Sequence, residues 1–395
     1  MNLLFYYGRP ILPNDGGIAC ISLSLIKLLE THGNRAFALA KADDGKGVFL
    51  KNQMILPYAA DILCDENIKF TEHILREHKI EIVINQQPID DSAEKFWIKV
   101  RNSTGVKILS FFHNPITLSA KNYTRTNQNR IEDKFGVYGF KLLSSKLMSR
   151  LLLRAYILKN RKRYRTIVEN SDLVAVLCDG MKTELVEMIG YTPNNVSVIP
   201  NFTTKIPQYI KTEKKDNLIL WCGQVNFNVK RLDMMLKIWE VLQNKLPYWK
   251  LAILGDGPDL NNAKRMAEEM KLTNISFEGR VPPDKYYEKA KFVVITSSYE
   301  SFSLVTLESM SYSVIPVGFD TFPAAKFMLK SLHEKLFVKA YDIETMCNTI
   351  NSLINDNILY RSLQKQVYKL SQELDSCHIG LIWLKELQKL ITNEG

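Results

Sequence analysis

Short runs rich in β-branched and aromatic residues alternate with helix-periodic stretches from one end of this chain to the other, and no other feature restricts the fold as much. Strands that alternate with helices pair in parallel and bury both faces of their sheet under those helices. The fold class is therefore α/β. The first unit reads as a strand over Asn2–Tyr7, a Pro/Gly loop through Gly16-Gly17, an apolar-periodic helix over Ile18–Thr31 stopped by His32-Gly33, and a strand over Arg35–Ala40. Further strands are expected at Ile80–Asn85, Val106–Phe112, Leu173–Cys178 and Val196–Ile199, completing a first Rossmann-like domain.

The stretch Pro200–Asn217 is polar, holds two prolines and a Lys/Glu cluster, and is followed by a second round of the same alternation. Strands are expected at Asn217–Cys222, Lys250–Leu254, Ile275–Glu278, Phe292–Thr296 and Val314–Val317, with helices at Lys230–Leu246, Leu260–Met270 and Leu304–Tyr312. The expected domains are 1–205 and 206–375, each long enough to bury its own core. A last helix, about 376–395, carries Leu381, Trp383, Leu384, Leu387 and Leu390 on one stripe suited to packing back on the first domain.

Several classes fall away. No apolar run approaches the ~18 residues of a membrane span, and Met1–Phe5 lacks a basic n-region and a cleavage site. A cytoplasmic location is expected. The six cysteines stand no closer than 30 positions apart and no histidine is spaced for zinc, so reduced, mostly buried thiols and no metal site are expected. No G-x-G-x-x-G follows the first strand with an acidic residue about 20 positions on, which argues against a nicotinamide enzyme.

The net charge of +10 is uneven, with 28 Lys/Arg against 20 Asp/Glu in residues 1–205 and 24 against 22 in 206–395. Nine basic residues and no acidic one lie between Lys141 and Arg165. Over Lys141–Leu158 the cations alternate with leucines, as in a basic amphipathic helix that lies on an anionic leaflet, and Lys159–Arg165 adds a dense cluster. The plainer alternative is a helix packed on its sheet with a solvated basic face. No base-stacking aromatic pattern accompanies the charge, so nucleic acid is not an expected partner.

Open α/β sheets bind ligands beyond the C-terminal ends of their strands. The most informative such loop is Ser297–Glu308, which leaves a buried strand and enters a helix. Backbone amides near Phe302, Ser303 and Leu304 offer an anion site at that helix N-terminus, and Glu300 and Glu308 flank it with groups that accept from sugar hydroxyls. Taken alone, Glu300 reads equally as a helix cap and Glu308 as a surface salt-bridge partner. Upstream, Trp221-Cys222-Gly223-Gln224-Val225 ends a strand and Lys230-Arg231 opens the next helix, from which Lys230 can reach an anion. Gly255-Asp256-Gly257-Pro258 is by itself a turn signal.

Together these elements, with Ile199-Pro200-Asn201-Phe202, Gly16-Gly17 and Phe112-His113, resemble retaining family 4 glycosyltransferases of the GT-B fold, two Rossmann-like domains facing a cleft. The resemblance implies that Glu308 holds the nucleotide ribose, Glu300 the donor-sugar hydroxyls, and the amides of the Ser301-Phe302-Ser303-Leu304 segment the diphosphate or sugar. It implies that Lys230, helped by Arg231, neutralises the departing diphosphate, and that Gly279-Arg280-Val281 lies against the base. It implies that Gly223, Gln224 and Gly255 line the same donor site. Gly16 and Gly17 would let backbone approach phosphate and acceptor, and His113 would face the donor sugar.

Three departures stand out: Gln224 where the family commonly has Arg, Ser301 and Ser303 where it has Gly, and Ser313 where a Gly precedes the following strand. The implied activity is metal-independent, without a resident cofactor. A hexose-type sugar passes with retention from a nucleotide diphosphate sugar, UDP ahead of GDP, to a glycan or lipid-linked acceptor in surface polysaccharide biosynthesis. The basic stretch would hold the enzyme peripherally on the inner face of the plasma membrane. The alternatives are a non-catalytic nucleotide-sugar or membrane-binding protein of the same fold, or another GT-B enzyme such as an epimerase.

Overall fold

The computed structural model of the protein describes residues 1–13, 16–47, 49–90, 92–203, 205 and 208–392, with 129 in its backbone alone. In chain order the first half comprises β1 (Asn2–Tyr7), α1 (Gly17–Thr31), β2 (Arg35–Ala40), β3 (Gln53–Ile55), α2 (Asp65–Glu77), β4 (Ile82–Asn85), α3 (Ala93–Thr104) and β5 (Lys107–Phe112), followed by α4 (Leu118–Lys121), α5 (Tyr123–Thr126), α6 (Gln128–Leu143), α7 (Lys146–Glu169), β6 (Leu173–Val176), α8 (Asp179–Ile189) and β7 (Val196–Val198). The second half comprises β8 (Leu218–Cys222), α9 (Leu232–Lys245), β9 (Lys250–Leu254), α10 (Leu260–Glu269), β10 (Ile275–Gly279), α11 (Asp284–Lys289), β11 (Phe292–Ile295), α12 (Leu304–Ser311) and β12 (Ile315–Asp320). It closes with α13 (Pro323–Leu329), α14 (His333–Leu336), β13 (Phe337–Lys339), α15 (Ile343–Asn355), α16 (Asn357–Gln372) and α17 (Ser376–Thr392).

The chain forms two compact units. One contains Met1–Thr117, Arg154–Thr204 and Ser376–Gly395, the other Leu118–Leu153 and Lys205–Asp375. The stretch 118–153, within the expected domain 1–205, packs with the second unit, and residues 204, 206 and 207 at the expected boundary lie outside the described residues.

Unit 1 is a seven-stranded, wholly parallel sheet in the order β3-β2-β1-β4-β5-β6-β7. Strands β4 and β6 are buried along their whole length, as sheets covered on both faces require. Leu4, Tyr6 and Val83 pack under Phe96, Trp97 and Val100 of α3, while Trp383 of α17 meets Phe111 edge-on at 5.3 Å. Ser197 donates to Glu386 at 2.7 Å and fixes α17 at a second point.

Unit 2 repeats the plan with six parallel strands in the order β10-β9-β8-β11-β12-β13. The edge strands β3 and β13, three residues each, are too short to show a period in the sequence. The chain from Lys141 to Leu158 is not one helix: α6 ends at Leu143, and α7 starts at Lys146. Of the six free thiols, only Cys178 and Cys347 are fully buried, and Cys377 is exposed.

Candidate functional site

In unit 2 the strand order reverses between β8 and β11, which lie side by side, so the loops leaving their C-terminal ends open over the topological switch point. A line of buried hydrogen bonds ties the two loops together. Trp221 Nε1 donates to Thr296 Oγ1 at 2.9 Å, and Thr296 Oγ1 donates to the carbonyl of Lys230 at 2.8 Å. Asn226 Oδ1 accepts from the amides of Val229 and Lys230 at 2.8 and 2.9 Å, closing the turn that aims Lys230. The Lys230 stem then lies over Gly223, where an added Cβ would sit 3.6 Å from its Cδ. Its Nζ donates to Glu300 Oε1 at 2.6 Å, and Ser297 Oγ donates to the same oxygen at 2.7 Å.

Glu300 therefore does not cap α12; Ser303 stands at that position, without a side-chain cap bond. Helix α9 likewise begins at Leu232, two residues later than expected from sequence, so Lys230 belongs to the loop.

The Gly-Asp-Gly-Pro turn is more than a turn. The amide of Gly223 donates to the carbonyl of Leu254, that of Val225 to Asp256, and that of Gly255 to Gly279. The three backbones touch. A Cβ on Gly255 would stand 1.8 Å from the Gly223 oxygen, and one on Gly257 2.3 Å from the Val225 oxygen. Phe227 N donates to Asp259 Oδ2 at 2.8 Å, which completes the lock between the loops after β8 and β9.

Along the acidic segment Phe302 is buried against Phe327 at 6.3 Å, and Ser303 adopts φ 62°, ψ 79°, the left-handed region where glycine is cheapest. Its hydroxyl bonds Thr306 Oγ1 at 2.8 Å. Ser313, a third serine where the resemblance expects glycine, after Ser301 and Ser303, has φ 57°. Glu308 keeps partial access to solvent but is surrounded by protein on most sides, and this desolvation pushes its carboxyl up to about 7. Tyr287 OH lies 3.4 Å from Glu308 Oε2; burial and the neighbouring Cys222 and Glu308 hold the phenol protonated. Asp284, joined to Lys205 at 2.6 Å and to Tyr312 OH at 2.7 Å, also raises Glu308.

Residues Gly223, Lys230, Gly255, Glu300, Ser301, Phe302, Ser303, Leu304 and Glu308 thus lie on interlocked loops and the helix start of one unit. Gln224 shares that loop and is exposed, and Arg280 and Val281 follow Gly279 at the end of β10. Arg231 is aimed elsewhere: it is buried, its fork bonds both oxygens of Asp233 at 2.9 Å, and it stacks over Tyr341 at 5.2 Å. Four participants lie outside the motifs read in the sequence: Asn226, Thr296, Tyr287 and Asn122. Asn122 donates to the Ser298 carbonyl at 2.8 Å, and Thr126 meets Ser298 Oγ at 3.2 Å, so the 118–153 segment braces the loop that carries Glu300. Only Asn226, an Asx-turn residue, left a local signal.

Gly16, Gly17 and His113 belong to unit 1. Gly16 has φ 96° and both glycines are exposed at the open start of α1, with no atom within 4 Å of an added Cβ. His113 is buried beside Phe111, bonded through Nε2 to Gln86 Oε1, and burial lowers its pKa to about 3. Three further buried polar atoms, Ser22 Oγ, Gln86 Nε2 and Asn201 Oδ1, line the same small recess and find no partner among the described residues. The recess has no room for a water.

Among the described residues no cluster of three or more His, Cys, Asp or Glu is placed to hold a metal ion. Two parallel α/β units with a strand-end site of this construction define the GT-B class of fold. Residues 202–370 match the family described as glycosyl transferases group 1. An uncharacterized glycosyltransferase of Haemophilus influenzae is 27% identical over 208 residues, covering 52% of this chain and 58% of that protein. A Campylobacter jejuni protein named GalNAc-alpha-(1->4)-GalNAc-alpha-(1->3)-diNAcBac-PP-undecaprenol alpha-1,4-N-acetyl-D-galactosaminyltransferase is 25% identical over 173 residues, 44% of this chain and 48% of its own. The chain spans about half the length of these curated relatives. Among solved structures, Anabaena Alr3699/HepE in complex with UDP superposes with a TM-score of 0.71 at 14% identity, over 98% of this chain and 100% of that one. That likeness establishes the shared fold.

Proposed function

We propose that the chain is a retaining, metal-independent hexosyltransferase that moves a sugar from a nucleoside diphosphate, UDP ahead of GDP, to a hydroxyl of a glycan or lipid-linked acceptor. The observation that carries this reading is the Lys230–Glu300 pair, held at the switch point of a group 1 domain beside the N-terminus of α12. An ammonium has three N–H donors. One engages Glu300, and the others are available to the leaving diphosphate. Glu300 accepts from donor-sugar hydroxyls, the amides around Ser303 and Leu304 meet phosphate or sugar, and Glu308 accepts from the ribose.

In the transfer step the acceptor oxygen attacks the anomeric carbon from the face the diphosphate leaves. The anomeric carbon–phosphate oxygen bond breaks, the carbon–acceptor oxygen bond forms, and the departing phosphate takes the hydroxyl proton. Stabilising charge on that phosphate is then the main catalytic task, and it falls to Lys230 and the helix amides, since Arg231 is spent on Asp233. Burial disfavours a charge on the His113 imidazole, so in this reading it serves as a hydrogen-bonding group and not as a proton carrier.

The UDP bound by the Anabaena neighbour supports a uridine donor, and the undecaprenol-linked substrate in the name of the Campylobacter relative supports a lipid-linked acceptor. Surface-polysaccharide synthesis at the inner face of the plasma membrane is the setting we assign; among the described residues no helix is long and apolar enough to cross a membrane. The test is a thermal-shift panel of UDP, GDP, ADP, CMP and NAD on wild type and Glu308→Ala. A ligand at 100 times its Kd adds about 2.7 kcal/mol, a shift of several degrees. A single nucleoside diphosphate is expected to shift wild type and not the variant, and turnover with its sugar conjugates follows; no shift by any of them rejects the reading.

A further inference from the structure

We propose that the segment from Lys134 to Leu151 is a docking surface for an anionic lipid bilayer. This refines the peripheral placement given above and leaves the transfer site untouched. Six of the eighteen large hydrophobic side chains exposed in the described structure fall inside this one segment: Phe135, Val137, Tyr138, Leu142, Leu147 and Leu151. Tyr138 is 88% exposed and Leu147 70%. Helix α6 is broken at Gly136, φ 69° and ψ 174°, so the aromatic pair Phe135 and Tyr138 flanks a bend.

Interleaved with them are four exposed cations, Lys134, Lys141, Lys146 and Arg150, with no acidic residue between Asp133 and Glu169. Lys134 Nζ lies 5.3 Å from the Phe135 ring and Lys141 Nζ 5.9 Å from that of Tyr138, and among the described residues none of the four pairs with a carboxylate. Rings and leucines beside unpaired cations match a bilayer interface, where apolar groups enter the acyl boundary and cations meet lipid phosphates. A soluble polyanion would satisfy the charges and leave the leucines wet.

The densest charge, Arg161–Arg165, lies outside this surface, contrary to what its composition suggests. Arg161 Nε and Arg165 Nε donate to the carbonyls of Met188 and Ile189 at 3.0 and 2.6 Å, and Arg163 pairs with Glu94 at 3.2 Å. These arginines satisfy the C-terminal end of α8 and tie α7 to α3.

The test is co-sedimentation of the full chain with vesicles of phosphatidylcholine alone, or of an equal mixture with phosphatidylglycerol. Wild type is expected to bind only the mixed vesicles. The Lys134→Gln/Lys141→Gln/Lys146→Gln/Arg150→Gln variant should bind at least about tenfold more weakly, and Phe135→Ser/Tyr138→Ser/Leu142→Ser should lose binding even at low salt. Arg161→Gln/Arg163→Gln/Arg165→Gln should keep its vesicle affinity and melt at a lower temperature. Loss of binding in the arginine variant with retention in the other two overturns the proposal. So does a wild type that ignores the mixed vesicles, with the Phe/Tyr/Leu variant instead reducing an oligomer to monomer. The nucleotide shift should survive in both surface variants, so failure of vesicle binding and failure of the transfer reading give different results.

Discussion

Lys230 Nζ and Glu300 Oε1 stand 2.6 Å apart across 70 positions of sequence. Both side chains are half-buried; Thr296 Oγ1 holds the Lys230 carbonyl and Ser297 Oγ holds the Glu300 carboxylate. Under the function proposed above, positioning of this kind spares the reorganisation that mobile charges would need as a diphosphate leaves.

Replacing either residue should separate binding from transfer. Lys230→Ala is expected to weaken nucleotide diphosphate binding and to lower kcat/KM by about 10²–10³-fold. Glu300→Ala should lower kcat by a similar factor with a smaller effect on the nucleotide alone. Steady-state kinetics beside nucleotide titration checks the split; equal effects on both quantities in both variants would remove the assigned roles.

The carboxyl of Glu308, raised from 4.5 to about 7, makes a pH-dependent prediction. The folded chain holds this proton more tightly than the unfolded one, so the group's stabilising contribution is complete below pH 4.5 and lost as pH rises through about 7. Glu308→Gln should therefore melt higher than wild type at pH 8, with the gap closing toward pH 5. Nucleotide binding should show the reverse trend. The ionised carboxylate is the better acceptor for ribose hydroxyls, so wild-type affinity should rise through pH 7 while that of the variant stays flat in calorimetric titrations.

Two kinds of glycine are distinguishable. Gly255→Ala places a methyl 1.8 Å from the Gly223 oxygen and should destabilise by about 2–4 kcal/mol, with nucleotide binding lost as the loops part. Gly17→Ala meets nothing within 4 Å and sits in the first turn of α1, so stability should hold or rise by up to about 1 kcal/mol. Any loss of turnover in Gly17→Ala then reports close approach of a ligand to that backbone. A fall in its melting temperature comparable to that of Gly255→Ala would contradict the geometry.

At Ser303 the left-handed backbone and the Thr306 bond pull in opposite directions. Ser303→Gly loses the bond and relieves the strain, whereas Ser303→Ala loses the bond and keeps it. The alanine variant should be less stable than the glycine variant by about 1 kcal/mol. Chemical denaturation of the pair is the measurement, and the reverse order would place the strain elsewhere.

What the sequence discloses depends on how local its cause is. The β1–α1–β2 unit was legible because each element carries its own period and stop signals. Glu300 and Glu308 are legible as a spaced pair, but not their surroundings: the enclosure of Glu308 by Tyr287 and Asp284 comes from helix α11, and Cys222 from the end of β8. Gly255 read as a turn, because the Gly223 oxygen that requires it lies 32 positions upstream and in register only once β8 pairs with β9. The resemblance sets Arg231 beside Lys230 as a helper toward phosphate, whereas its fork bonds Asp233; the Arg161–Arg165 cluster reads as surface charge, whereas the α8 carbonyls hold Arg161 and Arg165 and Glu94 holds Arg163. Charge is visible in a sequence; its counterpart is not.

Helix α17, near the end of the chain, belongs to the unit that contains β1. It lays Trp383 on Phe111, and Gly380 packs so closely on Leu28 of α1 that a methyl there would lie 3.1 Å away. During synthesis, unit 1 therefore emerges with one side of its core uncovered and waits for all of unit 2 to be made before the missing helix can dock. The unit begun second has its sequence complete first, and the unit begun first is sealed only once α17 has followed it.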